Sequence, residues 1–156
     1  MRRADRQVTD VCALREIMQR CDAVTLSFAG DSPYAVPMSF GFEETDGRFA
    51  LYLHCAPEGE KLRRMEENPR CAFSMYTGAQ LIGGDTACAY STTYESVCGR
   101  GTLTRLEGIE KRCGIDALMR HYAPEHALPV DERVLAHTCV LRLDAEEISG
   151  KRRLRP

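Results

Sequence analysis

The segment His54-Cys55-Ala56-Pro57-Glu58-Gly59-Glu60-Lys61 runs from an apolar, strand-like stretch into the start of a polar helix. A helix N-terminus attracts anions through its exposed N–H groups and its dipole. Gly59 lets a ligand approach the backbone, and Lys61, one turn in, adds a full positive charge. The segment can therefore seat a phosphate, although it is not a Walker loop, because Gly-x-x-x-x-Gly-Lys-Ser/Thr is absent. Taken alone, Lys61 is more often a solvated helix lysine, and a strand-end histidine such as His54 is more often structural.

Two further segments have chemical potential. In Pro37-Met38-Ser39-Phe40-Gly41-Phe42, proline removes a ladder donor, which predicts an edge or bulged stretch with free main-chain groups. Free amides beside an aromatic ring suit the polar edge of a flat heterocycle; an ordinary edge proline explains the same residues equally well. From Ala87 to Gly101, hydroxyls cluster around Tyr94-Glu95-Ser96-Val97-Cys98. In a strand, Tyr94, Ser96 and Cys98 share one face. That face is either a polar binding surface or a plain solvent-facing one.

The elements that must position these residues follow from periodicity. Val11, Leu14, Ile17 and Met18 fall at helical spacing within 9–21, with Thr9 or Asp10 as the cap. Alternation predicts strands over 23–28, 34–42 and 48–54 in a meander, with Asp46-Gly47 as a tight turn. A short helix over 57–67 ends at Asn68-Pro69, and a fourth strand covers 71–76. The glycine-rich stretch 78–85 is a turn or loop, 94–106 a long strand, 108–122 a second amphipathic helix and 137–143 a last strand. Consecutive strands without intervening helices disfavour βαβ winding and predict a mainly β, six-stranded antiparallel barrel with flanking helices.

Composition sets outer bounds. The 156 residues suit one domain, 1–156, and the formal net charge of −2 gives no field favouring nucleic acid or an anionic membrane. The basic tail 151–156 reads as solvated charge. No apolar stretch is long enough to span a bilayer, and no hydrophobic region follows the N-terminus, so a cytoplasmic protein is expected. No two of the eight cysteines are separated by only two residues, so no metal site is expected and most should be reduced, small core residues.

Order and register add a further reading. Pro37-Met38-Ser39-Phe40, Leu51-Tyr52-Leu53-His54 with Gly59 and Lys61, Asn68-Pro69-Arg70, Ala87-Cys88 and Tyr94 through Gly101 together resemble the nitroimidazole-resistance branch of the pyridoxamine 5'-phosphate oxidase-like superfamily. Arg2-Arg3-Ala4-Asp5-Arg6 and Ile148-Ser149-Gly150-Lys151 extend the resemblance over nearly the whole chain. It implies an FMN-binding split β-barrel, Greek-key-like, working as a homodimer with the cofactor at the interface. Main chain at Met38, Ser39 and Phe40 would line the isoalloxazine, Gly59 and Lys61 would hold the phosphate, and Ser96 and Val97 would lie near the cofactor. His54 matches the family's active-site histidine. FAD remains open in place of FMN, since a phosphate seat does not exclude a longer tail. The ending Arg152-Arg153-Leu154-Arg155-Pro156 echoes true pyridoxamine-phosphate oxidases. Those enzymes use a tryptophan before that end; this chain has none, so the resemblance does not extend to vitamin B6 oxidation.

The reading that results is a flavin-dependent oxidoreductase passing electrons to a small acceptor such as a nitroaromatic. Imidazoles titrate near neutrality, which would let His54 donate a proton as charge grows on the acceptor. Two alternatives stand beside it: a non-catalytic flavin-binding sensor or store, and a haem-binding split barrel. Haem would need an axial ligand, and His121, His126 and His137 are scattered and read as structural.

Overall fold

The computed structural model describes residues 4–126 and 129–154. Arg2-Arg3 and Arg155-Pro156, used in the resemblance, lie outside them. The elements are β1 (Gln7–Val8), α1 (Val11–Gln19), β2 (Val24–Phe28), β3 (Tyr34–Met38), β4 (Phe40–Thr45), β5 (Arg48–Cys55), α2 (Glu60–Glu67), β6 (Arg70–Ile82), β7 (Ser91–Leu106), α3 (Gly108–Tyr122), α4 (Glu132–Ala136) and β8 (Cys139–Arg153). All strands join one antiparallel sheet in the order β3-β2-β6-β7-β8-β5-β4, with short β1 pairing on β8.

This is the split-barrel class expected, with eight strands rather than six. The sheet's two edges, β3 and β4, are consecutive in sequence, and Ser39 alone separates them. The predicted single strand 34–42 is therefore two strands with different partners. Met38 ends the register with Val24, and Phe40 begins the register with Leu53. A simple meander would pair β3 with β4. Here the chain leaves one edge and enters the other, which closes the barrel. Pro37 lies on edge strand β3, opposite Thr25 of β2, the kind of strand in which a residue without a donor is tolerated.

Asp46-Gly47 forms the two-residue β4–β5 turn, with φ of 52° and 78°, the positive pair that a type I′ hairpin requires. The stretch 78–82 is not a loop: β6 continues to Ile82 through a bulge where Gly78 and Ala79 face Tyr94 alone. Thr93 repairs the interrupted ladder, its hydroxyl donating to the Gly78 carbonyl at 2.8 Å and accepting from Gln80 N–H at 3.1 Å. The last strand extends ten residues past the predicted end at Leu143, to Arg153. The tail is accordingly not plain solvated charge, since Arg152 and Arg153 belong to β8 and make side-chain partners. Helix α4 had no periodic signature because it spans only five residues.

The main core fills the barrel with Leu26, Leu51, Leu53, Phe73, Val97, Leu141 and Leu143, sealed at one end by Leu14, Ile17 and Met18 of α1. Leu62 brings α2 against the same core. Asp10 caps α1, accepting from Ala13 N–H at 2.8 Å. Helix α3 lies outside the barrel over a second core of Ala50, Tyr52, Leu106, Ala117 and Val140. Most cysteines are not core residues: only Cys21, Cys71 and Cys139 are buried, Cys55 is intermediate, and Cys12, Cys88, Cys98 and Cys113 are exposed. Cysteine tolerates both settings, so residue type alone does not place it.

The approach of α3 to the barrel depends on Gly41. A Cβ there would lie 2.2 Å from the Ala117 carbonyl oxygen and 2.5 Å from Leu118 N, both backbone atoms that cannot swing aside. Gly41→Ala should destabilise the fold by about 3 kcal/mol, read as a lower urea midpoint with an unchanged slope. A midpoint within error of the parent would show that α3 is not locked at this contact.

Candidate functional site

The closure of the barrel creates one unusual stretch of main chain. Ser39 is exposed and belongs to neither the β2–β3 nor the β4–β5 register, while its neighbours Met38 and Phe40 are buried. Tyr122 at the end of α3 pins this corner. Its hydroxyl accepts from Phe40 N–H at 3.0 Å and donates to the Asp22 carbonyl at 2.6 Å. His121 beside it places Nε2 at 2.9 Å from the Cys21 carbonyl, which makes Nε2 the donor, and its ring packs on Phe40 at 4.6 Å. The corner is thus tied to the α1–β2 turn. Of the three main-chain groups expected to face a heterocycle, the Phe40 N–H is already engaged, which leaves the peptide groups around Ser39.

His54 is exposed near the end of β5 and pairs in register with Val140. The β4–β5 register ends with Phe40 opposite Leu53, so Ser39 and His54 each lie one residue beyond the last pair. Four residues, Ala56 to Gly59, separate the end of β5 from the start of α2. Gly59 is its N-cap residue at φ 130°, a conformation few side chains adopt, and no side chain caps the helix. A Cβ at Gly59 would meet nothing within 4 Å, so the approach is open. Lys61, the second residue of α2, is half-buried. Glu60 sits at the same helix end, but Arg63 and Arg64 bind its carboxylate at 2.6 and 2.7 Å. Those hydrogen bonds hold its carboxyl below the ordinary range. Its charge is therefore engaged and directed down the helix.

Ser96 and Val97 lie elsewhere. Val97 is fully buried in the main core, so only its main chain can meet a ligand. Ser96 lies on the outer face, paired with Tyr76 on one side and Lys151 on the other. It lines a shallow groove with Thr25, Ser74, Tyr76 and Cys98. Strand order separates Ser39 from Ser96 by three strand spacings, about 14 Å. The structure therefore joins Met38, Ser39, Phe40, His54, Gly59 and Lys61 at one barrel end, and leaves Ser96 and Val97 apart from them.

The sequence reading missed two features of β7, one on each face. Tyr76 and Tyr94 stack with centroids 6.4 Å apart, and Lys151 Nζ lies 5.4 Å from the Tyr94 ring. Burial pushes the Tyr94 hydroxyl up, but hydrogen bonds and charge from Lys151 and Arg6 outweigh it and hold the group below its usual range. Glu95, largely buried on the opposite face, accepts from Arg20 at 2.6 Å and Arg152 at 2.5 Å. Only alternation along β7 hinted at either feature, and alternation cannot tell which strand lies alongside. A larger groove of about 940 Å³ opens over β4, β5 and β8, where Tyr52 donates to Glu43 and Arg142 pairs with Asp144.

Among the described residues, no helix is long and apolar enough to cross a membrane. Comparison with known proteins agrees with the architecture. Residues 11–152 match the family model described as pyridoxamine 5'-phosphate oxidase. A candidate 5-nitroimidazole antibiotic resistance protein from Bacteroides thetaiotaomicron is 29% identical with a TM-score of 0.79, over 93% of this chain and 85% of that one. An FAD and haem binding protein from Mycobacterium smegmatis is 23% identical with a TM-score of 0.80, over 94% of this chain and 73% of that one. A flavocytochrome from Azotobacter vinelandii is 19% identical with a TM-score of 0.82, over 100% of this chain and 73% of that one. The last two show the fold alone. No curated protein matches the sequence. With a family model matching nearly its whole length and this split barrel beneath it, the chain belongs to the pyridoxamine 5'-phosphate oxidase family, in which it fits the nitroimidazole-resistance branch.

Proposed function

We propose that the protein is a cytoplasmic, flavin-dependent oxidoreductase that binds FMN and reduces a small acceptor of the nitroaromatic class at a site shared by two copies. One observation carries this reading: an uncapped helix N-terminus with Lys61, a main-chain corner outside both ladders at Ser39, and the exposed imidazole of His54 meet at one barrel end.

The residues present fit the group. The open cradle at Gly59 and the ammonium of Lys61 suit a phosphate, whose negative charge the α2 dipole also favours. Main chain around Met38 and Ser39, with the Phe40 carbonyl, offers polar groups to the edge of a flat ring. The same open cradle would admit the longer tail of FAD. Bound flavin supplies the electron pair, and the protein contributes binding, orientation and proton control. His54 holds a proton beside the acceptor and releases it as negative charge develops there. The separation of Ser96 and Val97 from the corner supports a dimer. A ligand bound at the corner of one copy would meet the Ser96 face of the second, where Tyr76, Tyr94 and Lys151 present aromatic and cationic surface.

Haem has less support. His121 is engaged by the Cys21 carbonyl and two phenylalanine rings, and His126 and His137 are exposed away from any cavity that also holds an aromatic wall.

The visible spectrum of the purified protein, with chromatography of the released chromophore, tests the cofactor. Flavin bands and FMN are expected; a colourless protein that refuses added FMN would overturn the reading. Lys61→Ala should weaken FMN binding about 10- to 100-fold, the worth of one charged hydrogen bond to phosphate. His54→Ala should leave FMN affinity within about twofold while lowering acceptor turnover by roughly 10² to 10⁴. Equal turnover would remove His54 from the mechanism, and parent protein that reoxidises no faster than free flavin would favour a store or sensor. Light scattering should show a dimer. A monomer that still binds FMN tightly would contradict the shared site.

A further inference from the structure

Among the eight cysteines, two are partners across a ladder. Cys55 closes β5 and Cys139 opens β8, and the β5–β8 register pairs them directly. Directly opposed residues in an antiparallel pair have Cα atoms about 4.5 or 5.5 Å apart, depending on the hydrogen-bonding phase of the ladder. Either value falls within the range a disulfide spans. Both side chains face the main core: Cys139 belongs to it at 1% exposure, and Cys55 packs against it while staying partly open to solvent. The two thiols therefore lie side by side, one reachable and one sheltered.

We propose that Cys55 and Cys139 are a redox-active pair that closes into a cross-strand disulfide by exchange with a small disulfide such as oxidised glutathione. Cys55, the more accessible member, attacks as its thiolate. A bond forms between its sulfur and one sulfur of the small disulfide, whose S–S bond breaks to release one thiol. Cys139 then loses its proton and attacks the Cys55 sulfur, and the second small thiol leaves. The net change is two protein thiols and one small disulfide converted into one protein disulfide and two small thiols. The protein pair loses two electrons and the small disulfide gains them.

The setting controls the rate. Burial pushes the Cys55 thiol up to about 11. Lys61 of α2 and Arg105 of β7 oppose that rise, while the Cys139 thiol of β8 adds to it through charge and a hydrogen bond. Arg105 is partly committed to Glu107 at 3.2 Å. With the group well above neutrality, the thiolate is scarce at pH 7, and closure should accelerate close to tenfold per pH unit between pH 7 and 9. The pair is inert to brief exposure and responsive to sustained oxidation. Its position next to His54 and six residues before Lys61 places it at the rim of the candidate site, yet its closure requires no bound flavin.

The test uses the full-length protein, reduced, then incubated with excess oxidised glutathione at pH 8.5 and quenched with N-ethylmaleimide. Non-reducing peptide mapping should show the Cys55 and Cys139 peptides joined to each other, at a rate that falls about tenfold at pH 7.5. Cys55→Ser should abolish the linked peptide and leave Cys139 free to alkylate after denaturation. The parent map decides the matter even where that variant does not fold. Cys55 recovered as a stable mixed disulfide with glutathione while Cys139 remains a thiol, or Cys55 joined to any other cysteine, would overturn the proposal.

Discussion

A single residue between two sheet edges is the constraint on which this molecule turns. Strands β3 and β4 lie at opposite ends of the strand order, yet Ser39 alone joins them. One residue reaches at most about 3.5 Å, so the two edges must be brought together before either strand can complete its pairing. Closure and pairing are therefore coupled. The corner cannot complete its own main-chain hydrogen bonds within the sheet, and Tyr122 supplies what the ladder lacks by linking Phe40 N–H to the Asp22 carbonyl. Helix α3 can deliver that hydroxyl because Gly41 lets it approach the backbone of β4.

The same constraint accounts for where polar chemistry collects. In the body of the barrel the ladders satisfy the backbone, and alternate side chains enter a core of leucine, valine and phenylalanine. At the corner both ladders stop although the alternation continues, so an exposed serine stands between two buried residues, with an exposed histidine one residue beyond the last β4–β5 pair and an uncapped helix start following β5. Such an end favours an anionic ligand, because helix dipole and free amides remain available only where regular structure stops. Cys55 and His54 share the end of β5, so the cysteine pair and the corner lie at one strand end.

Charge plays a supporting part. Glu95 is sheltered on the inner side of β7 and clamped by Arg20 from the end of α1 and Arg152 from β8. A buried carboxylate needs such partners to remain ionised, and this one ties α1 to the sheet where the terminal strand ends. The stretch of β8 that reads as a basic tail is thus part of the fold.

Much of this was legible in the sequence. Helical spacing in 11–19 and 108–122, alternation in the strands, Asp46-Gly47 and Asn68-Pro69 are local signals, and the chain obeys them because short-range sterics and burial act on neighbouring residues. Family resemblance picked out His54, Gly59, Lys61 and Ser39 as residues of one site, and the fold does bring them to one end. What the sequence could not decide is pairing. Alternation says which residues share a face, never which strand lies beside them. Hence the break at Ser39, the engagement of Phe40 N–H by Tyr122, the distance of Ser96 from the corner, and the meeting of Cys55 with Cys139 came only from the tertiary structure. Each is a contact between residues far apart in the chain, and its energy exists only once the barrel has closed.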